Sequence, residues 1–389
     1  MKLTGLKVID LSAFLPGPHL TMMMADQGAE VVMVEPANGV GEPTRRIGWT
    51  HADGVSVWFR NIARGKKSLT LNLKDPDGQA LLHALVKEAD VVVEAFRPGV
   101  AKRLAADYET LQALNPGLVY CSISAFGQDG AYAQKPAHDL TVQAMAGLVD
   151  LNRGLEDAKP ASPNMPVADM AASLMALSAI LMALYRRHET GRGDYIDMAM
   201  FDACLAWTPN VTGPVFAEDR DPPVKDMRSF GGAGMYHVYE TKDAKHLVLG
   251  GSEVKFATNL LTALGREDLI EYAKLEPGPD QEPLRRFFKE TFAAKTLADW
   301  EAFLSDVDVC WAPVRTLKDA FDDPHTAARG LTFTDEAGAR HIGPPLKFAD
   351  EPARPNAHVP RFGEHGEDLA REAGFTPDRI KSMKDRGVI

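Results

Sequence analysis

Three side chains suited to proton transfer are the most informative feature of this sequence. His138 lies in residues 137–140 (AHDL), Asp169 in residues 167–170 (VADM) and Glu253 in residues 250–253 (GGSE). An imidazole and one or two carboxylates around a substrate can remove a proton from carbon and return it. None of the three lies in a local metal-binding motif, and we expect no metal. The sequence therefore predicts acid–base chemistry at carbon, with His138, Asp169 and Glu253 as the candidate catalytic residues.

Each of these residues also has an ordinary structural interpretation. Asp169 precedes an apolar helical pattern and suits the N-cap of that helix. A helix N-terminus would also stabilise the carboxylate and fix its position, so the two interpretations of Asp169 are compatible. His138 suits a partly exposed loop histidine, and Glu253 suits the first turn of a helix.

The elements that must position these residues alternate between strands and helices. Apolar runs predict strands at 7–11, 30–35, 69–73, 91–94 and 119–122, with helices such as 78–89 between them. This alternation indicates a mainly parallel sheet that is covered by helices on both faces. The fold class is therefore α/β. Asp169 begins the long helical block that follows, residues 169–188.

The chain is long enough for two domains, with 389 residues. We predict a large α/β domain over residues 1–208 and a small α+β domain over residues 227–325. The segment between them, 209–226, is rich in proline and acidic residues and is predicted to be a linker. From residue 335 onward prolines and charged residues dominate.

Composition narrows the possible partners. The formal net charge of -11 argues against nucleic acid. The longest apolar run, residues 170–185, is shorter than a membrane span, and the N-terminal residues lack the pattern of a secretion signal. Cys121, Cys204 and Cys310 are far apart, which argues against a disulfide framework. We expect a cytoplasmic protein that binds neither nucleic acid nor a membrane.

Two basic segments suggest an anion site. Residues 60–68 (RNIARGKKS) form a basic turn before a strand and contain Arg64 and Lys66, and Phe96 and Arg97 follow another strand. Ligands of open α/β sheets bind where strands end, and Arg and Lys beside a glycine suit phosphates. A solvated loop is the alternative for each segment. The pattern GxGxxG is absent, so a nicotinamide cofactor is not predicted.

The order of several motifs makes the chain resemble the class III CoA-transferase family, which includes the α-methylacyl-CoA racemases. The shared motifs, in chain order, are 10–12 (DLS) with 16–18 (PGP), 65–68 (GKKS) with 73–74 (LK), 96–99 (FRPG), 124–127 (SAFG), 138–139 (HD), 168–169 (AD), 190–193 (TGRG) and 310–314 (CWAPV).

The resemblance implies a Rossmann-like large domain to which residues 335–389 return. It implies an interlocked homodimer with active sites between the subunits. The substrate would be an acyl-CoA, so that coenzyme A belongs to the substrate and no cofactor is permanently bound. Arg64, Lys66, Arg97 and Phe96 match the CoA-binding positions. An arginine that many relatives carry after the acid Glu35 is replaced here by Pro36-Ala37.

The two branches of the family differ in chemistry. The transferases use the aspartate that matches Asp169 as a nucleophile, which forms an acyl anhydride and then an aspartyl-CoA thioester. The racemases use a His-Asp segment and a Glu near the position of Glu253. His138, Asp169 and Glu253 together favour an acyl-CoA racemase that acts at the carbon α to the thioester. The glycines of residues 231–234 (GGAG) keep CoA transfer open, and a non-catalytic CoA-binding subunit is a third possibility.

Overall fold

The computed structural model describes residues 1–154 and 159–389. Its strands, in chain order, are β1 (Lys7–Leu11), β2 (Glu30–Pro36), β3 (Lys67–Leu71), β4 (Val91–Glu94), β5 (Val119–Ser124), β6 (Tyr195–Ala199), β7 (Tyr236–Glu240), β8 (His246–Gly250), β9 (Trp311–Pro313), β10 (Thr332–Thr334) and β11 (Arg340–Ile342).

The helices are α1 (Pro16–Asp26), α2 (Val57–Ala63), α3 (Pro76–Val86), α4 (Val100–Arg103), α5 (Tyr108–Leu114), α6 (Asp139–Met145), α7 (Leu148–Leu151), α8 (Val167–Thr190), α9 (Met200–Ala206), α10 (Gly213–Glu218), α11 (Val254–Ala263), α12 (Glu282–Phe292), α13 (Leu297–Leu304), α14 (Leu317–Asp322), α15 (Pro324–Ala328), α16 (Gly366–Glu372) and α17 (Pro377–Asp385). Short 3-10 turns lie between some of them.

The chain divides into two compact units. Unit 1 contains residues 1–146, 163–207 and 324–389, and unit 2 contains residues 147–162 and 208–323. This division differs from the predicted one, because residues 147–162 belong to unit 2 and the return to unit 1 begins at 324. The predicted linker is part of unit 2 and includes α10. The 3-10 turn at Val224–Asp226 lies there too, and Lys225 donates a hydrogen bond to the carbonyl of Gly154.

Unit 1 is built on a parallel sheet, and the predicted α/β class is confirmed. In the described residues this sheet has six strands in the order β3-β2-β1-β4-β5-β6. The order reverses between β1 and β4, where a crevice forms at the carboxyl ends of the strands. Strand β6 was not predicted. Its alternate residues are exposed, which gives it no continuous apolar run.

Helices cover both faces of this sheet. Alternate residues of β1 such as Ile9 share a core with Leu81 of α3, Leu369 of α16 and Met383 of α17. Asp10, which faces the other way in a strand, accepts a hydrogen bond from Thr21 of α1 (2.5 Å). The sheet thereby fixes the loops at its carboxyl edge, from which the candidate site is built.

Helix α8 is longer than the apolar run that the sequence suggested. It has 24 residues and is long and apolar enough to cross a membrane by length and composition alone. Core helices of globular proteins meet the same criterion. Ala172, Ala176 and Ile180 are buried within unit 1, where α8 packs against α1, α6, α9, β5 and β6.

Unit 2 has a smaller antiparallel sheet, with the strand order β7-β8-β9. The first two strands form the predicted hairpin, and β9 was not predicted. The core of this unit contains Leu260 of α11, Phe288 of α12 and Trp300 of α13. The indole N–H of Trp300 donates to the carbonyl of Phe292 (2.9 Å), so this buried polar group is satisfied.

Candidate active site

Asp169 lies in the first turn of α8 and is half-buried. In the described part of the chain its carboxyl group accepts no hydrogen bond. Burial, and then the negative charge of Asp139, raise the pKa of Asp169 to about 7. A carboxyl group with this pKa exists in both protonation states near neutral pH, which suits it to give and to take protons.

Asp139 connects Asp169 to the His138 segment. Its Oδ1 accepts hydrogen bonds from the backbone N–H groups of Ala168 (2.8 Å) and Asp169 (3.2 Å). Its Oδ2 accepts one from the side chain of Gln143 (2.6 Å). Because Asp139 directly follows His138, these bonds hold the N-termini of α6 and α8 side by side. They bring His138 and Asp169, two of the three predicted catalytic residues, into one region of unit 1.

His138 precedes α6 and is exposed. The edge of its ring contacts Phe14, with ring centroids 5.5 Å apart and planes at 79°. Phe14 lies in the loop after β1 with a φ of 65°, which is strained for an aromatic residue. Glu42 stabilises that backbone by accepting a hydrogen bond from the Phe14 N–H (2.8 Å). The loop after β1 therefore supplies an aromatic wall for the imidazole.

Glu253, the third predicted catalytic residue, belongs to unit 2. It precedes α11, is exposed, and makes no capping hydrogen bond with its side chain. The sequence suggested that Glu253 lies in the first turn of a helix, and the structure places it one residue before the start of α11. Its catalytic role stays a prediction.

The first turn of α8 has no free backbone N–H group. Asp139 takes those of Ala168 and Asp169, and the N–H of Val167 bonds to the carbonyl of Met165 (2.9 Å). An enzyme that forms an enolate needs donors for the enolate oxygen. In the described residues, such unpartnered N–H groups occur instead at Asp139 and Leu140, in the first turn of α6 beside His138.

A cleft of about 720 Å³ opens at the carboxyl ends of β1 to β4 in unit 1. Its lining combines apolar side chains with a few polar ones and includes the following residues: Leu11, Ser12, Pro36, Val40, Asn72, Lys74, Phe96 and Leu104. Clefts at this place in open α/β sheets bind nucleotides and related ligands. The exposed ammonium group of Lys74, which sequence reasoning did not select, is a candidate for binding a phosphate here.

Phe96 and Arg97 are placed as the sequence suggested. Phe96 is half-buried at the cleft, and its backbone N–H donates to Glu94 (2.6 Å). Arg97 is exposed in the same loop, and its side chain makes no hydrogen bond or ion pair in the described residues. Both residues are therefore accessible to a ligand at the cleft, although binding itself stays a prediction.

Arg64 and Lys66 are placed differently from what the sequence suggested. The guanidinium of Arg64 pairs with Asp26 (2.6 Å), and its side chain is 2% exposed. The ammonium group of Lys66 is 0% exposed and donates to Asp10 (3.0 Å), to the carbonyl of Pro18 (2.8 Å) and to Thr21 (2.8 Å). All three N–H donors of Lys66 are used. The geometry gives both residues a structural role and does not support contact with a CoA phosphate.

Glu35 also has a structural role. Its two carboxylate oxygens accept a bidentate pair of hydrogen bonds from Arg45 (2.7 Å each), and Ser68 donates a further bond (2.6 Å). The acid at the end of β2 is therefore buried and paired within unit 1. Arg45 has its guanidinium over the ring of Phe59, at 4.0 Å from the centroid.

One group of potential metal ligands is present in the described residues, and it contains none of the predicted catalytic residues. The ligand atoms of His358, Glu364 and His365 lie within 4.8 Å of one another. The backbone N–H of Ser68 donates to Nδ1 of His365 (3.2 Å), which places the imidazole proton on Nε2. This tautomer disfavours metal binding through Nε2, and we assign no metal to the group.

Comparisons with known proteins show the family of the chain. The model of CoA-transferase family III matches residues 3–366. The chain is 31% identical to the alpha-methylacyl-CoA racemase of Homo sapiens, covering 100% of this chain and 98% of the racemase. It is 32% identical to the acetyl-CoA:oxalate CoA-transferase of Acetobacter aceti, covering 95% of each.

A solved structure shows the same fold. The CAIB/BAIF family protein from Brucella suis superposes with a TM-score of 0.83 at 31% sequence identity, covering 95% of this chain and 99% of that protein. The relatives include a racemase and several CoA-transferases, all of which are named for reactions of acyl-CoA compounds. The parallel sheet, the matched segment and these similarities together establish that the chain belongs to CoA-transferase family III.

Proposed function

We propose that this protein is an acyl-CoA racemase or epimerase, which moves a proton at the carbon α to a CoA thioester. The observation that carries the proposal is the hydrogen bonding of Asp139 to the start of α8. It holds an imidazole, His138, and a carboxyl group, Asp169, at two adjacent helix N-termini. Two separate acid–base groups are what a racemase needs, because a proton must leave one face of the carbon and arrive at the other.

The thioester carbonyl acidifies the α-proton by delocalising the negative charge that forms. In one direction Asp169 takes the proton, and His138 delivers a proton to the opposite face of the planar enolate. In the other direction the two residues exchange roles. The free N–H groups of Asp139 and Leu140 are the donors that we assign to the enolate oxygen. The proposal also retains Glu253 as a third acid–base residue of the reaction.

The CoA part of the substrate is assigned to the cleft of unit 1. Phe96 offers a ring for stacking or apolar contact, and Arg97 and Lys74 offer cations for the phosphates. Coenzyme A is thus part of the substrate. A cytoplasmic location stays a prediction, as does the absence of membrane and nucleic-acid partners.

The proposal includes a homodimer. Met182 and Tyr185 on α8 are 71% and 78% exposed, and Leu181 beside them is 40% exposed. Large apolar side chains that share one helix face are typical of protein–protein contacts. A second copy of this chain is the partner that we expect there.

CoA transfer between carboxylic acids is the second candidate. It is favoured by the carboxyl group of Asp169, which accepts no hydrogen bond in the described residues and is therefore free to act as a nucleophile. The glycine segment 231–234 supports it less than the sequence suggested. A Cβ on Gly232 would lie 2.1 Å from the carbonyl oxygen of Asp226, and one on Gly234 would lie 3.0 Å from Leu284. Close packing within unit 2 explains these two glycines.

Proton NMR in deuterium oxide separates the two functions. The purified protein is incubated with a 2-methylacyl-CoA, with and without a carboxylate acceptor. A racemase incorporates deuterium at the α-carbon without the acceptor. Asp169→Asn and His138→Ala each remove this exchange for one epimer and abolish the interconversion of the two. Asp202→Asn and His188→Ala, which change exposed residues of the same type, leave it intact. Transfer of CoA to the acceptor without exchange would establish the transferase.

A further inference from the structure

Helix α8 has no N-terminal cap from its own sequence. The residue at the capping position is Pro166, which offers no side-chain acceptor. The carboxylate of Asp139 supplies the missing acceptor from another helix, with one oxygen shared between the N–H groups of Ala168 and Asp169. An N-cap side chain normally comes from the adjacent residue, so this long-range cap ties the orientation of Asp169 to α6.

Asp139 is itself held in one orientation. Gln143, one turn further along α6, donates from Nε2 to Asp139 (2.6 Å) and to the carbonyl of Met165 (3.1 Å). Gln143 is 2% exposed, so these bonds are shielded from competing water. Both oxygens of Asp139 are therefore occupied by fixed donors, none of which is a cation.

The charge of Asp139 faces Asp169 without compensation. The neighbouring helix α9 contributes the thiol of Cys204, whose pKa is raised to about 11 by burial and then by the charges of Asp139 and Asp169. Helix α1 contributes His19, which bonds Ser173 one turn further along α8 (2.8 Å) and whose pKa is lowered to about 4. At neutral pH both of these groups are uncharged, so Asp139 remains the charged group that acts on Asp169.

We propose that Asp139 is a positioning residue for Asp169, which fixes the start of α8 beside His138 and places a negative charge next to the Asp169 carboxyl group. This inference rests on the proposed function, since it assigns Asp139 the task of preparing Asp169 for proton transfer. Asp139 acts through its neighbour and takes no proton from the substrate. Its charge favours the protonated form of Asp169, so that Asp169 can act as an acid as well as a base near neutral pH.

Carbon-13 NMR of protein labelled at the aspartate carboxyl carbons tests the inference without substrate. The Asp169 resonance is the one that Asp169→Asn removes. Its titration midpoint is expected near pH 7 in the wild type. Asp139→Asn, which keeps an acceptor oxygen and removes the charge, should lower the midpoint by about one pH unit or more. Asp202→Asn removes an exposed charge of α9 and should leave it unchanged. An unchanged midpoint in Asp139→Asn would overturn the inference.

Gln143→Leu provides a second test that keeps the charge of Asp139. It removes the hydrogen bond that orients the carboxylate, together with the one from Gln143 to the carbonyl of Met165. We expect the Asp169 midpoint to stay near pH 7 and kcat for proton exchange to fall by about tenfold, with KM for the acyl-CoA unchanged. Full kcat would overturn the positioning role. A wild-type protein without exchange activity would refute the proposed function, whereas the carboxyl titration would still decide the role of Asp139.

Discussion

Lys66→Met distinguishes the structural role of Lys66 from the CoA-binding role that the sequence suggested. The ammonium group is fully buried and bonds Asp10, Pro18 and Thr21. Methionine fills a similar volume but leaves the Asp10 carboxylate buried without its cation. Breaking a buried ion pair from one side costs about 3–5 kcal/mol of unfolding free energy. For a unit of this size each kcal/mol lowers the Tm by about 2–4 °C, so we expect a decrease of about 10 °C.

The matched variant is Arg97→Gln, which removes an exposed cation beside the cleft. It should leave the Tm within about 1 °C, because an unpaired surface charge contributes little to stability. If Arg97 binds a CoA phosphate, its loss should weaken CoA binding by about tenfold, which corresponds to about 1.4 kcal/mol. Lys66→Met should leave the dissociation constant of CoA within about twofold, at a temperature where the variant is folded.

Circular dichroism gives the Tm and isothermal titration calorimetry gives the affinity for CoA. The double variant Asp10→Asn with Lys66→Met provides an internal check. It removes both charges, so it should be more stable than Lys66→Met alone. The reasoning would be refuted if Lys66→Met weakened CoA binding by tenfold or more while the Tm stayed at its wild-type value.

Three further predictions concern carboxyl groups. In the direction that uses Asp169 as a base, kcat/KM should fall about tenfold per pH unit below pH 7. The reason is that burial and the charge of Asp139 raise the pKa of Asp169 to about 7. A pH profile of kcat/KM that is flat from about pH 5 to 8 would contradict this prediction. Burial, with the charge of Asp197, raises the pKa of Glu94 to about 7. The folded state therefore binds more protons than the unfolded state between pH 4.5 and 7, and the free energy of unfolding should fall as the pH rises through this range. Urea unfolding measures this decrease, which should be smaller in Glu94→Gln. Glu253→Gln should lower the rate of α-proton exchange at least about tenfold without changing the Tm, and an unchanged rate would remove Glu253 from the mechanism.

The strands of the first third could be predicted because each is a short apolar run between helices. Strand β4, Val91–Glu94, was predicted with the observed bounds. Strand β6 could not be predicted from an apolar run, because exposed residues such as Tyr195 alternate with half-buried ones. The segment 147–162 joins unit 2 through contacts such as the hydrogen bond from Lys225 to the carbonyl of Gly154, which only the folded chain reveals.

The candidate site could be predicted only in part. The types and positions of His138 and Asp169 pointed to proton transfer, and the structure places both at helix N-termini. The contribution of Asp139 depends on hydrogen bonds to a helix that begins much later in the chain, and no local pattern encodes them. The sequence suggested an anion site at Arg64 and Lys66 because it shows their positive charges. It does not show the carboxylates that pair with these charges in the folded protein. Asp26 and Asp10, which neutralise them, come from α1 and β1.

The most direct test of the account measures deuterium exchange from each pure epimer of a 2-methylacyl-CoA in two variants. If Asp169 and His138 act on opposite faces of the carbon, each variant loses only the base for one epimer. We predict that His138→Ala exchanges the α-proton of one epimer, that Asp169→Asn exchanges that of the other, and that neither interconverts the two. Equal loss of exchange from both epimers in both variants, or CoA transfer to a carboxylate without exchange in the wild type, would contradict the two-base mechanism.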